Sequence, residues 1–209
     1  MDAPITTIIL IAIVASSLYA WNNADFMNKM IFHPVTIKND NSQWYRFLSS
    51  GFVHGDYMHL GFNGYALYSF GGIVEYFLGR EFGVQMGSIM YLGAFLMGVI
   101  VSSIPAYLKN QDNVYYRALG ASGGVSTIIF MSIVFYPIGK IGLLFLPTSM
   151  GLNSVIFGLL YLAYSQYMAK KNVDNVGHDA HLWGAIFGLV FMAVTLPEAY
   201  ARAYYMLMN

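Results

Sequence analysis

Long apolar stretches alternate with short polar segments along this chain. A helix needs about 20 apolar residues to cross the hydrocarbon core of a bilayer. Each stretch almost free of Asp, Glu, Lys and Arg therefore predicts a membrane-spanning helix. The stretches predict six spans, at about 5–21, 57–78, 83–108, 119–137, 151–169 and 180–196. The predicted fold is an all-α bundle of six transmembrane helices, with residues 1–209 forming a single membrane domain.

The connection between the first two predicted spans, residues 22–56, is the longest in the chain. It mixes apolar residues with charged ones such as Lys29 and Asp40, which predicts a segment folded against the membrane surface rather than a free linker. Pro147 predicts a loop before the fifth span. Asp2 is the sole early charge, so the first span is expected to be an uncleaved helix and not a signal peptide.

The composition agrees with a protein that resides in lipid. Of the 209 residues, 57% are hydrophobic and 10% are charged, whereas soluble domains carry about 25% charged residues. Ten Lys and Arg balance ten Asp and Glu, and a formal net charge of zero argues against a nucleic-acid-binding protein. The chain has no cysteine, which excludes disulfides, zinc–thiolate sites and a cysteine nucleophile.

Several residues with chemical potential lie at one predicted membrane face. In a six-span chain the second, fourth and sixth spans enter from the same side. His59 and Asn63 lie near the start of the second span, Ser122 near the start of the fourth and His181 near the start of the sixth. Ionisable side chains inside a bilayer are costly and usually functional. We therefore expect a candidate site at this shared face.

His181 shares a helical face with two glycines, Gly184 and Gly188. Small residues spaced by four let another helix approach closely, so the imidazole would lie on the face that packs against a neighbour. A packing helix with a hydrogen-bonded histidine explains the same pattern.

Three glycines surround Ser122 in the sequence GASGG at 120–124. A helix start presents free backbone N–H groups, which can stabilise an oxyanion, and a serine becomes a nucleophile when a base takes its proton. A glycine-rich packing motif is the alternative.

His59 and Asn63 lie one turn apart and could both donate hydrogen bonds, or could simply be interfacial polar residues. Together, these residues favour a serine hydrolase inside a membrane.

At residues 44–188 the chain resembles the rhomboid family of intramembrane serine proteases. The motifs occur in the order of that family: WYR at 44–46, SGFVH at 50–54, HLGFN at 59–63, GGIVE at 71–75, GASG at 120–123, and AH at 180–181 with Gly184 and Gly188. A single glycine–serine motif is weak, whereas this ordered set is specific.

The resemblance implies a catalytic dyad that cleaves transmembrane segments of membrane proteins within the lipid bilayer, without a cofactor or metal. Ser122 would be the nucleophile and His181 the general base. His59, Asn63 and the backbone N–H of Ser122 would stabilise the oxyanion. Residues expected to give structural support are Arg46, Glu75, Gly120, Gly184 and Gly188. The connection 22–56 would lie partly in the membrane, and the fifth span with the loop at about 170–176 would gate and cap the site.

The sequence departs from the family at position 126, where rhomboids often carry an aromatic residue that packs on the catalytic histidine. Here the residue is Ser126. We expect another ring, either Trp183 or a nearby tyrosine, to support His181 instead.

The resemblance also implies a cytoplasmic N-terminus and a site that opens to the outer face of a bacterial plasma membrane. The basic residues favour the opposite orientation. The loops that would be inside carry Arg80, Lys140 and Arg202, whereas those outside carry Lys29, Lys38, Arg46, Lys109, Arg117, Lys170 and Lys171.

Three other functions fit parts of the sequence. A catalytically silent relative would bind transmembrane clients without cutting them. A membrane metalloenzyme would use histidines 54, 59, 178 and 181, although the HExxH spacing is absent. A small transporter would need a repeat of broken helices, and the chain shows none. We expect His54 and His178 to be water-facing surface residues.

Overall fold

The computed structural model describes residues 3–141, 151–171 and 178–209, except for the side chains of 164, 166–171 and 178. The helices are α1 (Pro4–Trp21), α2 (Ala24–Met30), α3 (Pro34–Asn39), α4 (Arg46–Ser49), α5 (Tyr57–Phe82), α6 (Val84–Asn110), α7 (Ser122–Phe135), α8 (Ser154–Lys171), α9 (His178–Thr195) and α10 (Glu198–Met208). Short 3-10 turns cover Asn41–Tyr45 and Ser50–Phe52. Two short antiparallel strands, β1 (Lys140–Ile141) and β2 (Leu152–Asn153), pair between α7 and α8.

The all-α membrane bundle predicted from the sequence is confirmed. The helices α1, α5, α6, α7, α8 and α9 correspond to the six predicted stretches. By length and composition, α1 and α6 each qualify as a membrane span among the described residues, and the bent α9–α10 pair would make three. The count of six spans therefore stays a prediction.

Three helix boundaries differ from the prediction by three residues or more. Helix α8 begins at Ser154 and not at 151, because Leu152 and Asn153 form β2. Helix α5 continues to Phe82, since residues 79–82 extend the helix beyond the apolar stretch. Helix α7 begins at Ser122 and not at 119, because Gly120 has a φ of 114° and is not helical. Helix α10, which was not predicted, follows a bend of 109° after α9.

Helix α7 lies at the centre of the bundle, packed against α5, α6 and α9. Nearly all of its residues are buried, whereas α1 and α6 expose apolar side chains on one side. Glycines make the close crossing of α7 and α9 possible. A methyl group at Gly184 would overlap the carbonyl oxygen of Gly123, and one at Gly188 would lie 2.5 Å from the carbonyl oxygen of Thr127.

Glu75 joins α5 to the first turn of α1. Its buried carboxylate accepts hydrogen bonds from the backbone N–H of Ile5 (2.9 Å) and of Thr6 (3.0 Å), and from the Thr6 hydroxyl (2.9 Å). The first turn of a helix has free N–H groups and a partial positive charge. A buried carboxylate in this position is thus compensated, and it fixes α1 against α5.

The connection between α1 and α5 is folded, and Arg46 organises it. The buried guanidinium donates from Nη1 to the carbonyl oxygens of Asn28 (2.8 Å) and Ile31 (2.7 Å), and from Nε to the side chain of Gln43 (2.8 Å). These bonds join α4 to the end of α2. How deep this connection lies in the membrane stays a prediction.

The same connection holds the segment that leads into α7. Phe32 and Ala118 exchange two backbone hydrogen bonds of 3.0 and 3.1 Å, and the N–H of Gly120 donates to the carbonyl of Ser50 at 2.9 Å. The chain is therefore fixed on both sides of Leu119 before it reaches Ser122.

Candidate active site

Ser122 is the first residue of α7 and is 7% exposed. The turn before it depends on Gly120, whose positive φ of 114° is costly for other residues. The ring of His59 occupies the space beside this glycine. A Cβ atom at position 120 would lie 2.6 Å from both Cε1 and Nε2 of His59. The predicted oxyanion residue His59 and the predicted nucleophile Ser122 thus meet at one turn.

Asn63 follows His59 one helical turn later and is also buried. Its amide Nδ2 donates to the carbonyl oxygen of His59 at 3.0 Å, which leaves a second hydrogen on the same nitrogen. Asp56 caps α5 by accepting the N–H of His59 at 2.8 Å. The start of α5 is therefore a fixed platform for two side-chain donors.

His54 lies inside the protein, and the expectation of a water-facing residue is wrong. Its side chain is completely buried. Nε2 accepts the backbone N–H of Ala121 at 3.3 Å, so the proton of the neutral ring is on Nδ1, which contacts the Ser17 hydroxyl at 3.0 Å. The imidazole thus bridges α1 and the residue that precedes Ser122.

The environment of His54 keeps its imidazole neutral. The pKa of His54 is lowered from its ordinary value of 6.5 to about 3, mainly by burial and to a smaller extent by nearby His59, while Asp56 acts in the opposite direction. The rings of His54 and His59 meet edge to face, with centroids 5.0 Å apart. His54 thus supports the turn and the ring of His59 together.

His181 is in the first turns of α9, and α8 contacts its imidazole. Nδ1 lies 2.8 Å from the Ser165 hydroxyl oxygen. That hydroxyl donates its own hydrogen to the carbonyl of Tyr161 at 2.8 Å, so it accepts the Nδ1–H of His181. This tautomer puts the ring lone pair on Nε2, the nitrogen that a general base would use.

Tyr161 supplies the ring that the sequence lacks at position 126. It stacks on His181 with ring centroids 5.2 Å apart and an interplanar angle of 16°. Its hydroxyl is 2.7 Å from the hydroxyl of Ser126. Of the two alternatives from the sequence, a nearby tyrosine is correct. Trp183 is 40% exposed and is not the stacking partner.

The crossing of α7 and α9 brings together the helix segments that carry Ser122 and His181. Gly184, one turn after His181, lies against the backbone of Gly123, which follows Ser122. The hydroxyl of Thr127 reinforces the crossing, with oxygen distances of 3.0 Å to the carbonyl of Gly123 and 2.9 Å to that of Gly184.

A small cavity of about 30 Å³ borders Ser122. Its walls include Ser50, Ser102, Ser103, Gly120, Ser122, Gly123 and Ala180. A site for one water molecule needs about 10–15 Å³ and polar partners, so this cavity is large enough for water beside the nucleophile.

Two residues that the sequence analysis did not single out, Tyr161 and Ser165, contact the candidate base directly. Their spacing of four places them on one face of α8, which was the available signal. Three expectations lie outside the described residues: the loop at Pro147, residues 172–176 of the loop expected at 170–176, and the side chain of His178. Within the described part, no group of three or more His, Asp and Glu side chains is placed to hold a metal ion.

Comparison with known proteins identifies the family. The family model for the Rhomboid domain matches residues 41–198. A presenilin-associated rhomboid-like protein A, mitochondrial, from Danio rerio is 28% identical over 145 residues, which is 68% of this chain and 35% of that protein. Rhomboid protease GluP from Bacillus subtilis is 30% identical over 157 residues, 75% of this chain and 27% of that protein.

A third relative, RHOMBOID-like protein 12, mitochondrial, from Arabidopsis thaliana, is 24% identical over 180 residues, covering 80% of this chain and 52% of that protein. The chain spans about a third of the length of the presenilin-associated relatives it matches. Several matched relatives are named as mitochondrial, so the comparisons do not support the expected bacterial plasma membrane.

Proposed function

Because the chain belongs to the rhomboid family, we propose that it is an intramembrane serine endopeptidase in which Ser122 attacks and His181 acts as general base. Its substrates are transmembrane segments of membrane proteins. The observation that supports the proposal is the hydrogen bond in which Ser165 accepts the Nδ1–H of His181, on a helix whose Gly184 packs against Gly123 beside Ser122.

The reaction has two stages. As Oγ of Ser122 bonds to the scissile carbonyl carbon, its proton moves to Nε2 of His181. The proton then passes to the leaving amine, and the peptide C–N bond breaks to give an acyl-enzyme. His181 then takes a proton from water as the water oxygen bonds to the ester carbon; the bond from that carbon to Oγ breaks, Oγ of Ser122 takes the proton back from His181, and a carboxylic acid leaves. The cavity beside Ser122 is a suitable store for this water.

The oxyanion is stabilised by groups that the fold holds in advance. We assign this role to the side chains of His59 and Asn63 and to the backbone N–H of Ser122. Donors that are already oriented need no reorganisation during the reaction, and removing one of them typically costs about 10²–10³ in rate.

The length of α7 supports a site below the membrane surface. Its 14 residues span about 21 Å at about 1.5 Å per residue, whereas the hydrocarbon core is about 30 Å thick. If the far end of α7 reaches the opposite face, Ser122 lies within the core. A peptide bond that reaches it must lose its helical hydrogen bonds.

The test uses a fluorescent fluorophosphonate, which labels an activated serine, on purified protein in detergent. We expect the probe to label the wild type and not to label the Ser122→Ala and His181→Ala variants. Ser132→Ala is the matched control, because Ser132 is a buried serine of α7 bonded to its own helix. The same variants are then assayed for cleavage of a transmembrane peptide in liposomes.

Failure to label correctly folded wild type, while an active serine hydrolase is labelled in parallel, would remove the hydrolase proposal. The chain would then be a silent relative that binds transmembrane clients. Labelling that persists in Ser122→Ala would show a different reactive serine.

A further inference from the structure

One face of helix α8 contacts the imidazole of His181 in two ways. Ser165 accepts the Nδ1–H at 2.8 Å, and Tyr161 stacks on the ring face. The two residues are one helical turn apart, so both contacts come from the same face of α8. They involve a hydroxyl and a ring, and no carboxylate.

The hydrogen bonds around these residues have a defined direction. Ser126 donates its hydroxyl hydrogen to the carbonyl of Ser122 at 2.7 Å, so it accepts a hydrogen from Tyr161 at 2.7 Å. Tyr161 is thereby tied to the first turn of α7, at the nucleophile itself. Ser126 therefore anchors Tyr161. Tyr161 in turn supplies the ring that an aromatic residue at position 126 would otherwise provide.

We propose that Tyr161 and Ser165 are positioning residues that set the tautomer and the orientation of His181, with Ser126 as the anchor of Tyr161. This inference rests on the proposed function of His181 as general base.

The size of the effect follows from the chemistry of the acceptor. A serine fixes the Nδ1–H but adds no negative charge to stabilise the imidazolium. Replacing the buried Asp of a catalytic triad by Asn favours the wrong tautomer and costs about 10⁴ in kcat. Replacing the neutral acceptor Ser165 by Ala should cost less, about 10–10² in rate. Without Ser165 the wrong tautomer of His181 becomes accessible, but it is not actively favoured.

The first experiment measures the fluorophosphonate labelling rate from pH 5 to 9. We expect Ser165→Ala to label about 10–10² times more slowly than wild type and to have a shifted pH midpoint, whereas Ser165→Thr restores both. Ser132→Ala is the control with an unchanged rate. A folded Ser165→Ala variant with the wild-type rate and midpoint would overturn the proposal.

The second measurement does not depend on activity. Nitrogen-15 chemical shifts of His181 report its tautomer in the purified protein. We expect the Nδ1–H form in wild type and a mixture of tautomers in Ser165→Ala. If wild type is not labelled at all, the proposed function fails, while these shifts still decide whether Ser165 sets the tautomer. The same tautomer in both proteins would contradict the role of Ser165.

The aromatic support is tested by moving the ring. We expect Tyr161→Leu to slow labelling and the double variant Tyr161→Leu/Ser126→Tyr to recover part of the loss, because Ser126 contacts Tyr161 and Tyr161 stacks on His181. Double and single variants with equal rates, both folded, would show that stacking on His181 is irrelevant to the base.

Discussion

His54 and His181 have similar partners at one ring nitrogen, and we assign them different roles. Each has its Nδ1 next to a serine hydroxyl, that of Ser17 at 3.0 Å and that of Ser165 at 2.8 Å. They differ at Nε2. In His54 this nitrogen accepts the N–H of Ala121, whereas in His181 it carries the lone pair that the proposed reaction uses.

The two histidines also differ in burial and in what holds them. His54 is completely buried and joins α1 to the nucleophile turn. His181 is partly exposed and is held from one side by α8. A proton acceptor must keep its lone pair directed at the reacting group, and a backbone N–H at the same nitrogen removes that possibility. The predictions below test this contrast.

The largest expected effect separates activity from stability. Loss of a catalytic serine or histidine in a serine protease lowers kcat by about 10⁶. We expect His181→Ala to lose activity on this scale, with a thermal midpoint close to that of wild type. Peptide cleavage and thermal unfolding measured on the same preparation check this. Cleavage by His181→Ala at a rate near that of wild type would show that His181 is not the general base.

Gly120→Ala tests the turn that His54 supports and His59 contacts. A methyl group there meets the His59 ring at 2.6 Å on a backbone with φ of 114°. We expect labelling to fall by at least about 10², the cost of one oxyanion donor. Gly93→Ala in α6 is the matched control, since a methyl group at Gly93 meets no atom within 4 Å. Equal rates for both variants would refute this account of the turn.

His54→Ala should lower the free energy of unfolding by about 2–4 kcal/mol. It creates a cavity and leaves the N–H of Ala121 without its acceptor, which alone costs about 1–3 kcal/mol. Denaturant unfolding in mixed micelles measures the change. Labelling should weaken as well, because the turn before Ser122 loosens. An unchanged unfolding midpoint would mean that His54 does not stabilise the turn before Ser122.

The pH dependence of stability should also involve His54. Its pKa falls from 6.5 to about 3 on folding, so between these values the unfolded chain binds a proton that the folded protein does not. The contribution of neutral His54 to the free energy of unfolding is therefore fully present above pH 6.5 and is lost as the pH falls toward 3. His54→Phe should flatten thermal stability between pH 6.5 and 4 relative to wild type. Parallel curves for the two proteins would contradict the assignment.

Ser17→Ala should have the smallest effect. It removes the partner of Nδ1 on His54 and leaves the bond to Ala121 in place. A single hydrogen bond contributes about 0.5–1.5 kcal/mol, so unfolding should shift by about this amount with labelling nearly unchanged. A loss as large as that of His54→Ala would mean that the Nδ1 contact dominates.

Much of this architecture could be predicted from the sequence. Apolar stretches gave helices close to their observed positions, because a bilayer requires long runs of apolar residues whatever their neighbours. The order of motifs identified the rhomboid family, which the comparisons confirm. Gly184 was predicted to face a neighbouring helix, and it lies against Gly123.

Other features could not be read from the sequence. The expected surface position of His54 is wrong, since a histidine beside polar residues looks the same whether it faces water or a backbone N–H from a distant segment. Helix α10 was not predicted, because its amphipathic stretch follows Pro197 and lies beyond the last apolar stretch. The sequence predicts that either Trp183 or a nearby tyrosine supports His181, and no local pattern selects Tyr161 from these candidates.

The sequence by itself determined the helices, the membrane environment, the family and the identity of the candidate catalytic residues. These depend on the local run of apolar residues and on short motifs. The tertiary structure decided which nitrogen of each histidine is engaged, and which helix supports His181. Those features depend on contacts between residues as far apart in sequence as His54 and Ala121, where small differences in backbone position decide which groups bond.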